Sequence, residues 1–248
     1  MDHLLRATAR AEARHFWFRG FRYFVTPLIR QATAGVPAPR ILDCGCGTGN
    51  NLDLLGRFGS AYGFDLTEVG LQIGREAGRR RLVRASAATV PFRSNAFDLV
   101  TSFDVLYSLE TALERAAVGE MHRILRPGGH VIVNVAALES LRGDHSVLSR
   151  EIRRYDRRSL AQLLGGHGFD IVRMTYTNAV LFPPMLVARA LQRRRGLRSE
   201  ESADQEMRVP AAPINLLMTG ALRVESWWVR VANNPFGSSL LCLARKPL

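Results

Sequence analysis

The stretch Arg40 to Leu55 reads RILDCGCGTGNNLDLL: a short apolar run ending in an acid, Asp43, then two cysteines and three glycines between Cys44 and Gly49. Several chemistries use a loop of this kind, and spacing separates them. A zinc site needs two further ligands, and no second pair of cysteines or histidines stands at a suitable distance. A redox pair needs Cys-x-x-Cys, whereas one residue separates Cys44 from Cys46. A P-loop closes on Gly-Lys-Ser/Thr, whereas this one closes on Gly49-Asn50-Asn51. A dinucleotide loop spaces its glycines G-x-G-x-x-G, and here the third glycine arrives a residue early.

Outward from the loop, strand and helix patterns alternate. RILDC, AYGFD, RLVRA, AFDLVTSF, HVIVNVA and DIVRMTYTN read as six strands. NNLDLLGRF, EVGLQIGREAGRR, LERAAVGEMHRIL and RRSLAQLLGGHGF read as helices, the third closed by Arg126-Pro127-Gly128-Gly129. Such alternation predicts a parallel sheet with helices on both faces. GSSLLCLARKP, bounded by glycine and proline, reads as a seventh strand. Residues 4–33 read as helical, up to the breaker GVPAP. Before the last strand, VLFPPMLVARALQRRRG and INLLMTGALRVESWWVRVAN are two apolar and arginine-rich helices around a polar linker, SEESADQE. The expected organisation is a helical cap over 1–37, a core over 38–178 and 237–248, and a helical insertion over 179–236.

The sheet gives the loop its meaning. A tight glycine turn after a first strand brings backbone close to a ligand at that strand's carboxyl end. Asp43 there would repel a pyrophosphate and suits a positively charged amino group. The second predicted strand ends in Asp65, where a carboxylate can accept from both hydroxyls of a ribose. A ligand with ribose, an ammonium and no phosphate is S-adenosylmethionine.

Composition narrows the class further. Net charge is +12, carried almost wholly by arginine, with Lys246 the one lysine. Acidic partners would be attracted, yet the arginines are scattered as doublets and triplets without interleaved aromatics, which argues against a nucleic-acid partner. The N-terminal residues are charged where a signal peptide is apolar. No run reaches the roughly 20 apolar residues of a membrane span. Three cysteines suit a reducing cytoplasm better than a disulfide framework.

Four segments in order, ILDCGCGTGN, AYGFD, VPFRSNAFDLVTSFDVLYSLE and EMHRILRPGGHVIV, make residues 38–176 resemble the class I S-adenosylmethionine-dependent methyltransferases, above all those related to the ubiquinone and menaquinone pathway enzymes. The resemblance implies a Rossmann-like α/β fold: a mostly parallel seven-stranded sheet whose final strand is antiparallel. It also implies site roles. Asp43 and the backbone of Gly45, Cys46 and Gly47 would face the methionine part of the cofactor, with Gly49 letting the next helix start close by. Asp65 would hold the ribose, Leu66 would pack on the adenine, and Phe103 would line the cofactor with its backbone. Ser86 and Ala87 stand where the family usually has an acid for the adenine amino group. Cys44 and Cys46 read as small packing residues. The product would be S-adenosylhomocysteine.

Many relatives carry Asp-Val-Leu-Glu-His after the fourth strand, and here Tyr107 and Ser108 replace the acid and the histidine. A different base is needed if one is used. His145, in the loop beyond the fifth strand, is the first candidate, with Tyr155 and His15 behind it. Arg19, Arg22 and Arg154 are candidates for binding a carboxylate or phosphate, and Phe16, Trp17 and Phe18 for covering the cofactor or packing on the sheet. HFWFRGFR and NPFGSSLLCLARKP add likeness to a bacterial subgroup often associated with glycan, lipid-linked or secondary-metabolite pathways. The insertion reads as a substrate lid or dimer face ahead of a peripheral membrane element, and in each case favours an apolar or amphipathic small-molecule acceptor.

Overall fold

A computed structural model describes residues 2–197 and 209–248. The linker 199–206 lies outside the described residues.

The chain opens with α1 (Asp2–Ala11) and α2 (Phe16–Thr33), then alternates β1 (Arg40–Cys44), α3 (Leu52–Leu55), β2 (Ser60–Asp65), α4 (Glu68–Glu76), β3 (Leu82–Arg84) and β4 (Phe97–Phe103). It continues through α5 (Thr111–Ile124), β5 (Leu125–Ala136), α6 (Asp144–Leu148), α7 (Arg157–Gly165) and β6 (Asp170–Thr177). Two long helices, α8 (Phe182–Arg195) and α9 (Ala212–Val231), precede the last strand, β7 (Ser239–Arg245).

Seven strands form one sheet in the order β3-β2-β1-β4-β5-β7-β6. β7 runs antiparallel to both β5 and β6, and every other pairing is parallel. The fold is therefore the expected Rossmann-like α/β sheet with an antiparallel final strand. β1 and β4 are buried along almost their whole length, as strands covered on both faces must be. One core packs α5 and α7 against the sheet through Met121, Ile124, Leu160 and Leu164. The opposite core packs α2, α9 and the glycine loop through Phe24, Ile29, Leu55, Leu71 and Leu222.

Three local expectations change. The N-terminal helix is two helices: the chain turns between Glu12 and Arg14, and His15 caps α2 by accepting from Trp17 N through Nδ1 at 3.2 Å. A side-chain acceptor before an orphaned helical N–H is a helix start, and it interrupts what residue propensity reads as continuous. The helix predicted over NNLDLLGRF shrinks to the single turn of α3, because Gly56 and Gly59 follow at once and Pro39 O would stand 2.1 Å from a Cβ on Gly59. Arg126–Gly129 does not separate α5 from β5 as a free turn. The extended segment starts at Leu125, and the ladder steps from Phe97↔Leu125 to Leu99↔His130, so these four residues bulge out of the strand.

Close packing of α4 on the glycine loop fixes the floor of the site. A Cβ on Gly74 would lie 2.4 Å from Thr48 O and 2.7 Å from Leu82 Cδ1. A backbone carbonyl in the loop cannot swing aside as a side-chain tip can. Gly74→Ala is therefore expected to cost about 1–3 kcal/mol through overpacking, read as a lower midpoint in thermal or urea unfolding. An unchanged midpoint would show that α4 can ride outward freely.

Candidate active site

The carboxyl ends of β1 and β4 lie side by side where the chain, having run outward through β2 and β3, crosses back to the other half of the sheet. At such a switch point the connections leave in opposite directions and open a crevice.

Asp43 stands at the end of β1 and is 1% exposed. Its Oδ1 accepts from Thr101 Oγ1 on β4 at 2.6 Å, while the buried Oδ2 has no partner. Burial first, and the nearby charge of Asp65 second, push its carboxyl up to about 7 against the pull of the Thr101 bond. An unsatisfied buried carboxylate oxygen is costly unless a cation meets it. A positively charged amino group fits that demand.

The glycine loop presents itself differently from expectation. Gly45 N and Cys46 N both donate to Phe64 O at 2.9 Å, and Gly47 N donates to Asp65 Oδ2 at 2.8 Å. The loop's amides thus face β2 rather than a ligand. Because a trans peptide points its carbonyl opposite its N–H, the carbonyls of Cys44 and Gly45 point away from β2. Carbonyls suit an ammonium and repel a phosphate, so the loop agrees with Asp43 in sign. Gly45 is left-handed at φ 74°, and a Cβ there would stand 2.4 Å from Val105 Cγ2, so the loop also touches the turn after β4. Cys46 is buried beneath Gly63, and burial raises both Cys44 and Cys46 thiols, which leaves them packing residues.

Asp65 joins the two sides of the crevice. Its Oδ1 accepts from Thr67 N at 2.8 Å while Oδ2 takes Gly47 N. Each oxygen keeps a further lone pair, which is what two ribose hydroxyls require. Leu66, next in the chain, is 65% exposed, an apolar platform beside that carboxylate. Ala85 N donates to Asp65 O, carrying the chain to Ser86 and Ala87, both half-buried; Ser86 Oγ accepts from Ala88 N at 3.2 Å. Phe103, 9% exposed at the end of β4, meets the Phe21 ring edge-on at 4.8 Å.

Two contacts hold the rest of the loop, and both escape sequence reading. Thr48 Oγ1 donates to the Glu12 carboxylate at 3.1 Å, laying the exit of α1 over the loop. Arg79 reaches from beyond α4 to Asp53 at 2.7 Å and to Thr48 O at 3.1 Å, next to Gly49. Gly49 at φ 74° has Leu82 and Arg79 against its absent side chain, so a larger residue has no room.

On the other half of the sheet the missed residue is Asp104. It takes a left-handed φ of 61°, its N donates to Asn134 O at 2.9 Å, and its Oδ1 accepts from Asn134 Nδ2 at 3.1 Å. Asp104 is exposed to solvent at the carboxyl end of β4. Packing of the surrounding protein, then the charge of Glu151, shifts its carboxyl upward, and Asn134 and Arg154 work the other way. The available signal was an acid placed directly after a buried strand, in Phe103-Asp104-Val105-Leu106.

The sequence candidates for a base separate. His145 lies in α6, half-exposed, its carbonyl accepting from Ser149 N and Oγ, in the loop beyond β5 as expected. α8 closes against that loop: Gln192 accepts from Asp144 N, and Arg195 pairs with Asp144 at 2.6 Å. Tyr155 is 4% exposed and turned toward α5, where its hydroxyl donates to Glu114, itself paired with Arg153 at 2.6 Å. That bond and burial raise the phenol far out of range of a base. His15 is 8% exposed and its Nδ1 is engaged in the α2 cap. Arg154 is buried as a strut between Glu151, Ala137 O and Ser146, which spends it on structure rather than on a ligand phosphate. Arg19 is exposed and Arg22 half-buried on α2. Phe16 and Trp17 pack into the core between α2 and the sheet.

An α/β sheet of this topology with acids at the ends of β1 and β2 suits a nucleoside ligand, and comparison makes the likeness specific. Residues 42–133 match the methyltransferase domain family Methyltransf_11. The chain is 35% identical over 109 residues to the demethylmenaquinone methyltransferase of Clavibacter sepedonicus, covering 42% of this chain and 43% of that one. It is 31% identical over 150 residues to the probable tRNA methyltransferase 9B of Bos taurus, covering 56% and 32%. Among solved structures, the cyclase SpnF superposes with a TM-score of 0.56 at 22% identity, over 90% of this chain and 80% of that one. Residues 42–133 therefore match a methyltransferase domain similar to those of the ubiquinone and menaquinone methyltransferases, a likeness that supports S-adenosylmethionine as the cofactor. The chain spans about half or less of the length of the curated relatives named here.

Asp43 links pH, stability and cofactor. Its carboxyl is raised in the free protein, so its stabilising share is complete below the unfolded value and is lost as pH rises through about 7. Asp43→Asn keeps an acceptor for Thr101 and removes the buried charge. It should raise the melting temperature of the free protein at pH 8 while weakening S-adenosylmethionine by about 10- to 100-fold, the worth of one charge-assisted bond. Calorimetric titration together with a thermal shift reads both effects; unchanged affinity would remove Asp43 from the cofactor site.

Proposed function

We propose that this chain transfers a methyl group from S-adenosylmethionine to a small apolar or amphipathic acceptor, at oxygen, nitrogen or carbon. The observation that carries the reading is the pair of acids at the ends of adjacent strands. Asp43 keeps a buried oxygen unpartnered, and Asp65 holds the loop while retaining capacity for two more donors. In this reading Asp43 and the Gly45 carbonyl hold the amino group, with Cys46, Gly47 and Gly49 shaping the loop. Asp65 holds the ribose, Leu66 covers one adenine face, Ser86 and Ala87 border its edge, and Phe103 backs the reacting end. Residues 1–37 act as a cap, 38–178 with 237–248 as the core, and 179–236 as the element facing the acceptor. The three cysteines are free and buried, in keeping with a reducing, cytoplasmic setting.

When bound, the cofactor supplies a methyl on a positively charged sulfur, which becomes a neutral thioether as the carbon–sulfur pair returns to sulfur. The protein's own task is to align the acceptor and take its proton. Asp104 is suited to the second part. It is fixed at the carboxyl end of β4 by two bonds to Asn134, is exposed there, and has its carboxyl shifted upward. His145 is the second candidate, on the facing loop. The exposed apolar side chains of α8 and α9, among them Val187, Leu191 and Leu217, support an acceptor with apolar parts.

Incubation with an acceptor panel of quinols, prenylated or acylated phenols and lipid-linked sugars should yield S-adenosylhomocysteine and a product heavier by one methyl, read by mass spectrometry. Asp104→Asn should lower kcat by about 100-fold or more and flatten the acidic limb near pH 7, with cofactor affinity unchanged. If His145→Ala does this and Asp104→Asn does not, the base is His145. Two results would displace the reading itself. Acceptor turnover without S-adenosylhomocysteine would favour a cyclisation in natural-product biosynthesis, the second reading, which Tyr107 and Ser108 in place of the usual acid and histidine suggest. Methylation of tRNA, lost with rising salt, would favour a nucleic-acid acceptor as in the name of the Bos taurus relative.

A further inference from the structure

Helix α9 is amphipathic in the wrong sense. Its buried face carries Thr219, Leu222, Glu225, Ser226 and Val229, so three of five inward residues are polar. Its outer face carries Leu216, Leu217, Val224, Trp227, Trp228 and Val231, each between 53% and 83% exposed. Leu217, Val224, Trp228 and Val231 stand at offsets of seven, four and three residues, one stripe of a helix. Scattered exposed leucines are ordinary, but a stripe of large apolar residues with two adjacent tryptophans on one helix marks an interaction surface.

Charge says what covers it. Of the described residues of α8 and α9, Glu225 is the one acid, and it is buried, accepting from Ala179 N at 2.9 Å, Val180 N at 3.1 Å and Asn234 Nδ2 at 2.8 Å. The insertion's other acids belong to the linker 199–206, outside the described residues. The outer face of α9 is flanked by exposed Arg223 and Arg230, and the Arg223 guanidinium lies over the Trp227 ring at 5.8 Å. A second copy of the chain would meet this face with the same arginines and no exposed acid from the helix, which opposes a two-fold dimer. Apolar stripe, interfacial tryptophans and one-signed charge together complement an anionic bilayer surface. Among the described residues no helix is long and apolar enough to cross a membrane, so the contact would be in the plane of the surface.

We propose that α9 docks this protein on anionic lipid membranes, with Trp227 and Trp228 at the headgroup level and Arg223 and Arg230 on lipid phosphates. The placement bears on the site. Asn215, at the start of α9, accepts from Phe16 N and donates to Arg14 O, both at 2.8 Å, and Glu225 ties the helix to the exit of β6. A docked α9 therefore holds the α1–α2 corner, and the crevice edge it borders, against the membrane, where an amphipathic acceptor would be found.

Flotation of the purified chain with unilamellar vesicles tests this. Vesicles of phosphatidylcholine with about one-third phosphatidylglycerol should carry the protein, pure phosphatidylcholine should not, and salt should weaken the association. Trp227→Ser with Trp228→Ser should lower partitioning by more than about tenfold, and Arg223→Gln with Arg230→Gln by about fivefold per charge. Both pairs are exposed, and unchanged S-adenosylmethionine affinity would show that the variants fold. Because flotation reads lipid alone, it stands whether or not methyl transfer is found. Absence of flotation, equal binding to neutral vesicles, or a wild-type dimer by light scattering that the tryptophan pair converts to monomer would each overturn the proposal.

Discussion

One carboxylate holds the site together. Asp65 ends β2, yet its two oxygens accept from Gly47 on the loop after β1 and from Thr67 at the start of α4. It thus fastens three segments that the sheet alone would leave as separate chain ends. With Gly45 and Cys46 donating to the carbonyl of Phe64, the whole glycine loop hangs on the end of β2. That attachment turns the loop's amides inward and its first carbonyls outward, so the sign of the ligand the loop can accept is set by how it is tied down. An anion-binding glycine loop has the reverse arrangement, with free amides at a helix N-terminus.

The fold was legible because its signals are local and repeated. Six strand patterns alternate with helices, and an acid follows each of the first two strands in the position a ribose and an amino group demand. What was not legible depends on partners distant in sequence. The direction of the loop amides follows from Phe64 and Asp65, roughly twenty residues away, and no spacing rule within the loop shows it. Tyr155 looked available until Glu114 and Arg153 were seen to claim its hydroxyl. His15 looked like a loose imidazole in an aromatic helix, but a helix start needs an acceptor and His15 supplies it. Asp104 was in plain view after β4, and only its backbone, turned left-handed and tied to Asn134, separates it from an ordinary turn acid.

The insertion shows a different limit. Composition alone shows that α8 and α9 are apolar and basic, but a lid, a dimer face and a bilayer element share that composition. Orientation separates them. Three of the five side chains that bury α9 are polar, and Leu222 sits in the space left by Gly20 on α2, where a Cβ would come within 2.3 Å. The bulky residues are the ones left outside, so burial within the chain does not account for them.

The acids of the crevice are best understood as a pair of held protons. Asp43 is raised because it is buried with an oxygen unmet, and Asp104 is shifted upward by the packing around it and by Glu151. The two respond oppositely to what enters. A cationic amino group at Asp43 favours its ionised form and removes the penalty of burial. Asp104 has no fixed cation of its own. Arg154 is committed to Glu151, and the two act on Asp104 with opposite signs. The carboxyl is therefore shifted upward by its surroundings while Arg154 offsets part of that shift. In the proposed reading, binding and proton transfer fall to separate carboxylates at the ends of two adjacent strands, and the β1–β4 pairing holds them in register.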